Sequence, residues 1–144
     1  MLVKEAMTRD VRTVGPEQNI QEAAKIMLEI DAGALPVGDK DKLVGMITDR
    51  DIAVRGVAAG KAPSARVREV MSSEVKYCFE DEDIAHVSRN MGDQRIRRLP
   101  VVDRNKRLVG ILSLADLATS AKTGHASAAL SGISQAGGAH TQTQ

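Results

Sequence analysis

The chain contains the same sequence unit twice, and this internal repeat constrains its fold more than any other feature. The tripeptide Leu-Pro-Val at 35–37 recurs 64 residues later at 99–101. Further identities at this spacing run along the whole unit, and one extra residue near Arg107 moves the spacing to 65 in its last part. Identities spread over a complete unit indicate two copies of one structural element.

Each copy has the pattern of a small α+β unit with the order β-α-β-β-α. In the first copy the predicted elements are strands at 11–14, 34–37 and 43–48, a helix from Ile20 that ends at Gly33, and a helix at about 50–57. In the second copy they are a strand at 75–79, a helix at 84–94, strands at 99–102 and 108–113, and a helix at 115–122.

The first long helix carries its own start and stop signals. Asn19 and Glu22, three residues later, have the pattern of a capping box, and Gly33 is the expected left-handed end. The apolar residues at helical spacing, which predict the core face, are Ile20, Ala23, Ala24, Met27, Leu28 and Ile30.

The repeat also predicts the domain organisation. The expected divisions are a first domain at 2–60, a linker at 61–66, a second domain at 67–122 and a flexible tail at 123–144. A unit of about 50–60 residues is only marginally stable alone, whereas two units can bury their sheets against each other. The predicted fold class is therefore α+β, with two repeats packed as a pseudo-twofold pair.

Composition excludes several classes of function. One Phe, one Tyr and no Trp leave an aliphatic core and no aromatic platform for stacked bases. Twenty basic and 19 acidic residues give a net charge of +1, which attracts neither nucleic acid nor an anionic membrane. Without a signal peptide or an apolar run near the roughly 20 residues of a membrane-spanning helix, the expected location is the cytoplasm.

Catalytic and metal-binding patterns are missing from the sequence. Cys78, the single cysteine, can form neither an internal disulfide nor a thiolate-rich metal site, and we expect it to be a buried apolar residue. No Ser or Cys nucleophile has a base near it in sequence, and no His, Cys or Asp cluster has metal spacing. We therefore expect a protein that is not an enzyme.

The segment after each Leu-Pro-Val strand resembles the CBS domain family. Both copies read Leu-Val-Gly and end in Thr48-Asp-Arg-Asp51 and Ser113-Leu-Ala-Asp116. The resemblance covers residues 2–122 and is greatest to small stand-alone bacterial proteins made of two such domains. It implies a paired fold, the Bateman module, that binds an adenosine compound between its two domains and commonly forms homodimers. The ligands it implies are AMP, ADP, ATP, NAD and S-adenosylmethionine.

Asp51 and Asp116 are the residues best suited to bind a ribose, because one carboxylate can accept hydrogen bonds from both hydroxyls of a vicinal diol. Thr48 and Ser113, three residues earlier, stand at strand ends where a hydroxyl can reach ribose or phosphate, and the same turn opens a helix. These residues equally fit helix caps, in which hydroxyl and carboxylate bind backbone N–H groups. The sequence leaves both interpretations open.

The resemblance places each binding site between the two domains. The first site is expected to join Thr48, Arg50 and Asp51 with Lys76, Tyr77, Ile96, Arg97 and Arg98. The second is expected to join Ser113 and Asp116 with Thr8, Arg12, Thr13, Ala32, Gly33 and Ala34. Because arginine binds phosphate through two parallel bonds, we expect the first site to hold AMP or a polyphosphate more tightly, although its arginines also fit a solvated strand edge.

Two functions are compatible with these residues. The chain is either a regulatory sensor of adenine nucleotides that acts on an unidentified protein, or a ligand-free module for dimerisation or protein interaction. The sequence does not distinguish between them, or between head-to-head and head-to-tail dimers.

Overall fold

The structure, a computed structural model, describes residues 1–94 and 97–119. Within these residues the chain is α+β, as the repeat predicts. The helices are α1 (Val3–Ala6), α2 (Ile20–Ile30), α3 (Ile84–Gln94) and α4 (Leu114–Thr119), with a π-helix at Asp51–Val57 and a 3-10 turn at Val67–Glu69. The strands are β1 (Ala34–Asp39), β2 (Lys42–Thr48), β3 (Cys78–Phe79), β4 (Arg98–Val102) and β5 (Leu108–Ser113). The tail expected at 123–144 lies outside the described residues.

The chain divides into two units, and these do not coincide with the two sequence copies. The first unit is Arg12–Val75, and the second combines Met1–Val11 with the described residues from Lys76 onward. The opening segment of each copy is therefore part of the unit that holds the body of the other copy. We call residues 1–11 and 66–75 the exchanged segments.

The first unit is built on the antiparallel hairpin of β1 and β2, which pairs Ala34 with Thr48 at its open end. Two single-residue bridges extend this sheet: Val14 pairs with Val37 in parallel, and Ser72 pairs with Met46 in antiparallel orientation. The strand predicted at 11–14 was wrong in length, since only Val14 pairs. Ser72, from the exchanged segment, forms the other edge.

The second unit repeats this arrangement. Strand β4 lies between β3, which is parallel to it, and β5, which is antiparallel. Thr8, from the exchanged segment 1–11, pairs with Ile111 of β5. The strand predicted at 75–79 is shortened to Cys78–Phe79. In both units, then, an exchanged segment forms the edge beside the strand that ends in Thr48 or Ser113.

Helix α2 begins as predicted and ends earlier. The side chain of Asn19 accepts a hydrogen bond from Glu22 N at 2.8 Å, and the Glu22 carboxylate accepts one from Asn19 N at 3.5 Å, which completes the capping box. The helix ends at Ile30, and Asp31 takes the left-handed conformation with φ of 53°. Gly33 as the left-handed end was therefore wrong, because aspartate also tolerates this conformation as a single residue.

The buried face of α2 is narrower than its apolar pattern. Ile20, Ala23 and Met27 are buried, whereas Leu28 is 83% exposed and Ile30 is 38% exposed. At 3.6 residues per turn, Leu28 is rotated by about 80° from Ile20, which carries it outside the buried stripe. The prediction that Leu28, Ile30 and the exposed Ala24 belong to the core face was wrong.

Each unit has its own core, and both cores are aliphatic as the composition predicts. The first contains Val14, Ile20, Ala23, Met27, Leu35, Val37, Ile47, Val67 and Val70. The second contains Val3, Met7, Cys78, Ile84, Val87, Met91, Leu99, Val101, Leu112 and Leu117. The exchanged segments contribute to both: Val67 and Val70 pack in the first unit, and Val3 and Met7 pack in the second.

Gly45 and Gly110 allow the exchanged segments to approach the sheet. A Cβ atom on Gly45 would lie 2.8 Å from the carbonyl oxygen of Ser72, and one on Gly110 would lie 2.9 Å from that of Thr8. The same Cβ atoms would lie 2.8 Å from Met71 Sδ and 2.6 Å from Met7 Sδ. The glycine in each Leu-Val-Gly sequence is thus required by the segment beside it.

We expect Gly110→Ala to destabilise the protein by roughly 1–3 kcal/mol, because the added methyl group overlaps a backbone oxygen that is fixed by pairing. Gly38→Ala is the control, since a Cβ atom there has its nearest neighbour, Lys42 O, at 3.7 Å. Urea denaturation of both variants and the parent measures the difference. Equal midpoints for Gly110→Ala and Gly38→Ala contradict the proposed role of Gly110.

Candidate functional site

The turn after β2 holds Thr48 and Asp51 in two reciprocal hydrogen bonds. Thr48 Oγ1 accepts a bond from Asp51 N at 3.0 Å, and Asp51 Oδ2 accepts one from Thr48 N at 3.0 Å. Each side chain satisfies a backbone N–H group at the strand-to-helix junction, as in a capping box. The half-buried carboxylate of Asp51 is therefore held in one orientation.

The turn after β5 has the same arrangement with one further bond. Ser113 Oγ accepts a bond from Asp116 N at 3.2 Å, and Asp116 Oδ2 accepts one from Ser113 N at 2.9 Å. The Ser113 hydroxyl also donates to Asp116 Oδ2 at 3.1 Å. Both motifs therefore act as caps, the alternative that the sequence left open beside ribose binding.

The two carboxylates differ in their second oxygen. Asp116 Oδ1 accepts a hydrogen bond from Thr8 Oγ1 at 3.1 Å. Within residues 1–94 and 97–119, Asp51 Oδ1 accepts none. A carboxylate has two oxygens with about four acceptor positions, so capping through Oδ2 leaves Asp51 able to accept further bonds through Oδ1.

Thr8 and Ser72 occupy equivalent positions in the two exchanged segments. The structure brings Thr8 to Asp116, with which the sequence had grouped it. The hydroxyl of Ser72 instead donates to the carbonyl oxygen of Glu74 at 3.4 Å. Ser72 was missed by the sequence reasoning, although the repeat spacing of 64 residues relates it to Thr8.

The remaining predicted site residues are distributed over both units. The first unit contains Arg12, Thr13, Ala32, Gly33, Ala34, Thr48, Arg50 and Asp51, and the second contains Thr8, Lys76, Tyr77, Arg97, Arg98, Ser113 and Asp116. Ile96 lies outside the described residues. Inside the units, Ala34 is paired with Thr48 and Arg98 with Ser113. The grouping of Ala34 with Asp116, and of Arg98 with Asp51, involves residues of different units and stays a prediction.

The arginines expected at the two sites differ in their ion pairs. Arg12, the main cation expected at the Asp116 site, donates to the carboxylate of Glu29 at 3.2 Å. Arg50 is exposed beside Asp51, and the part of the chain that the structure describes contains no ion pair to its guanidinium. The cation next to Asp51 is therefore less neutralised than the one expected near Asp116.

Each of the segments 3–56 and 67–122 matches the family model of the CBS domain. The chain belongs to the CBS domain family. The matched segments are the two sequence copies, so the resemblance seen in their Leu-Val-Gly and Thr/Ser-x-x-Asp sequences is confirmed, and the chain contains a CBS domain pair.

Small CBS domain proteins are among its relatives. The chain is 45% identical over 133 residues to the CBS domain-containing protein YhcV of Bacillus subtilis, a match that covers 92% of this chain and 94% of that protein. It is 39% identical over 117 residues to Hypoxic response protein 1 of Mycobacterium tuberculosis, with coverage of 80% and 81%.

Solved structures of CBS domains also resemble this structure. One is Hypoxic Response Protein I with two coordinated zinc ions, with a TM-score of 0.73, 38% identity and coverage of 82% of this chain and 97% of that one. Another is the CBS domain pair of protein MJ0100 in complex with 5′-methylthioadenosine and S-adenosyl-L-methionine, with a TM-score of 0.70, 36% identity and coverage of 82% and 93%.

In the second unit, Tyr77 and Phe79 form an aromatic pair that the composition did not predict. Their ring centroids are 5.7 Å apart and the rings are nearly perpendicular at 85°. Lys106 Nζ lies 5.0 Å from the centroid of the Tyr77 ring, and Arg104 lies 4.1 Å from that of Phe79. Two hydrogen bonds from Arg104 to Asp81 lower the pKa of that carboxyl. Alternation along a strand, which places residues two apart on one face, could have predicted this pair.

Lys76 and Tyr77 also line an open pocket of about 60 Å³ in this unit. Its other lining residues are Cys78, Glu82, Val87, Asn90, Met91 and Leu99. Pockets for small-molecule ligands measure roughly 300–1,000 Å³, so this pocket alone is too small for a nucleoside.

Among the described residues, no group of three or more His, Cys, Asp or Glu side chains could hold a metal ion. No helix in this part of the chain is both long enough and apolar enough to cross a membrane.

Cys78 is buried, as expected, with 3% of its surface exposed, and it belongs to the core of the second unit. Burial raises the pKa of its thiol from 9.0 to about 12, with a smaller contribution from the charge of Glu82. The folded protein therefore retains this proton at pH values where the unfolded chain loses it.

We expect this thiol to make stability depend on alkaline pH. The stabilising contribution is complete below pH 9 and is lost as the pH rises from 9 towards 12. Cys78→Val removes the titration, so the difference in unfolding free energy between parent and variant should change by on the order of 1 kcal/mol from about pH 8 to 10. Urea denaturation at both pH values measures it, and a constant difference contradicts the expectation.

Proposed function

We propose that this CBS domain pair is a non-catalytic regulatory module that binds an adenosine compound through Asp51. The observation that carries the proposal is the second carboxylate oxygen of Asp51, which capping leaves without a hydrogen bond among the described residues. The MJ0100 domain pair, which is 36% identical to this chain, was solved with 5′-methylthioadenosine and S-adenosyl-L-methionine. Both compounds carry a ribose.

The cap itself prepares Asp51 for this role. The bond from Thr48 N to Oδ2 fixes the carboxylate, so that little side-chain freedom is lost when a ligand binds. Oδ1 can then accept bonds from both ribose hydroxyls, and bonds to a charged group contribute about 1.5–3 kcal/mol each. Thr48 Oγ1 accepts from Asp51 N and keeps its own proton for a ligand oxygen. In this proposal capping and ribose binding are compatible functions of the same residues.

Arg50 supports a ligand that carries phosphate. It is exposed, it adjoins Asp51, and guanidinium groups bind phosphate in a planar, two-bond geometry. AMP, ADP, ATP and NAD share phosphate and adenosine, whereas S-adenosylmethionine and methylthioadenosine share the adenosine alone. Regulation requires the ligand to prefer one state of the module over another, because equal affinity for both states shifts nothing. The regulated protein would then be the one that distinguishes these states.

Asp51→Asn separates ribose binding from capping. The asparagine oxygen can keep the bond from Thr48 N, since asparagine is a good cap, while its NH₂ group replaces Oδ1 and cannot accept a hydroxyl proton. We expect the variant to keep its melting temperature without ligand and to lose at least about tenfold in affinity, as expected for the loss of one charge-assisted bond. Titration calorimetry with AMP, ATP, NAD and S-adenosylmethionine measures the loss.

Asp49→Asn is the matched control, because it removes an exposed carboxylate two residues away and should leave binding unchanged. A thermal-shift screen of the parent precedes the titrations, and a ligand at 100 times its dissociation constant should add about 2.7 kcal/mol of stability. If Asp51→Asn binds every compound as the parent does, Asp51 is not the ribose ligand. If no adenosine compound shifts the parent, the ligand-free module is favoured.

Homodimerisation is a second candidate function, and exposed apolar side chains on two helices of the first unit favour it. Leu28 of α2 is 83% exposed, and Val57 and Val54 of the π-helix are 69% and 49% exposed. In the second unit, α3 exposes the polar side chains of His86, Arg89 and Asp93. A second copy of the chain presents the same apolar residues, so a symmetric contact would bury both sets.

We expect Leu28→Lys to shift the protein towards the monomer, because each dimer contact would then bury two ammonium groups among apolar side chains. Gln21→Lys is the control, since it adds the same charge to an exposed position of the same helix. Sedimentation velocity at several protein concentrations gives the masses. A monomeric parent, or a dimeric Leu28→Lys variant, counts against this interface.

A further inference from the structure

We propose that Thr8 closes the Asp116 site, so that the domain pair binds one adenosine compound tightly, at Asp51, and a second one only weakly. This inference rests on the proposed ribose-binding role of Asp51 and adds a residue that decides which of the two related sites is used. It identifies an internal competitor for the ligand, the Thr8 hydroxyl.

The backbone pairing beside the two carboxylates is the same. Thr8 exchanges two N–H···O bonds with Ile111, and Ser72 exchanges two with Met46, all four at 2.9 Å. A glycine next to each pair, Gly110 or Gly45, makes the approach sterically feasible. Both exchanged segments therefore place a hydroxyl residue beside the strand that leads to the carboxylate.

The two hydroxyls bind different partners. Thr8 Oγ1 donates to Asp116 Oδ1 at 3.1 Å, and Ser72 Oγ donates to the carbonyl of Glu74 at 3.4 Å. Threonine is branched at Cβ, which restricts its χ1 angle. Serine is less restricted and often bonds to nearby backbone. The two copies carry different residues at this position, threonine at 8 and serine at 72. Only the threonine donates a hydrogen bond to the carboxylate of its unit.

A ribose must compete for Asp116 but not for Asp51. Asp116 Oδ2 accepts bonds from Ser113 N and Oγ, and its Oδ1 accepts one from Thr8. With the Thr8 hydroxyl bound, Oδ1 keeps one further acceptor position. A ribose that bonds through both hydroxyls therefore has to replace the Thr8 hydroxyl and exchanges one bond for another, with little net gain. At Asp51 the same bond is formed without such a loss. The loss of one charge-assisted bond corresponds to about tenfold to hundredfold weaker binding at Asp116.

The cation that the family resemblance predicts for the second site has an ion pair of its own. Arg12, the cation predicted there, is already paired with Glu29 at 3.2 Å. A phosphate would have to compete with this carboxylate as the ribose competes with Thr8. Arg12 is therefore less available to a ligand phosphate than an arginine without an ion pair.

Thr8→Ala tests the inference by removing the competing hydroxyl. Thr8 is exposed and its backbone makes the pairing bonds, so the variant should fold, and its urea midpoint verifies this. Titration calorimetry with AMP, and with S-adenosylmethionine in parallel, should give one tight site per parent chain. In Thr8→Ala a second site should tighten by about tenfold or more, and the double variant Thr8→Ala, Asp116→Asn should lose this gain.

Ser72→Ala is the matched control and should leave both sites as in the parent. Two equally tight sites in the parent, or a Thr8→Ala titration identical to that of the parent, overturns the role of Thr8 and leaves the Asp51 proposal intact. If neither compound binds the parent or Thr8→Ala, the proposed function fails and this inference fails with it. Unchanged binding in Asp51→Asn combined with a loss in Asp116→Asn reverses the order of the sites and also overturns it.

Discussion

Four backbone hydrogen bonds, two between Thr8 and Ile111 and two between Ser72 and Met46, determine the layout of both units. They fix an exchanged segment at the sheet edge, next to the strand that leads to each carboxylate. Val3 and Met7, or Val67 and Val70, then reach the core of the unit. Hydrophobic burial supplies most of the stability, but the edge pairing decides which segment is buried in which unit. This pairing requires glycine at 45 and 110, because a Cβ atom there would overlap the paired segment.

The strand-to-helix turns show how a residue set that caps a helix can keep hydrogen-bonding capacity to spare. A cap needs one carboxylate oxygen and one hydroxyl lone pair, and both groups have further hydrogen-bonding capacity. Among the described residues, Asp51 Oδ1 accepts no hydrogen bond, whereas Asp116 Oδ1 accepts one from Thr8. Thr/Ser-x-x-Asp caps a helix in both copies, and a role in ribose binding stays a prediction. The surroundings of the second oxygen distinguish the two copies.

Local sequence signals predicted the local structure well. The repeat gave the order β-α-β-β-α, and Asn19 with Glu22 marked the start of α2. The end at Asp31 and the exposure of Leu28 depend on what α2 packs against, which periodicity does not contain. The exchange of segments also escaped prediction, because a repeat looks the same whichever body its first segment joins. The bond between Thr8 and Asp116 links residues 108 positions apart, and only the folded sheet brings them together.

The exchange has a consequence for how the chain can be divided. A cut in the linker expected at 61–66 would separate the two sequence copies neatly, yet each fragment would carry the edge segment that belongs with the other. The fragment with Gly45 would lack Ser72, and the fragment with Gly110 would lack Thr8. Residues 12–75 would instead keep the hairpin of the first unit together with its edge segment, whereas the second unit needs residues 1–11 from the other end of the chain.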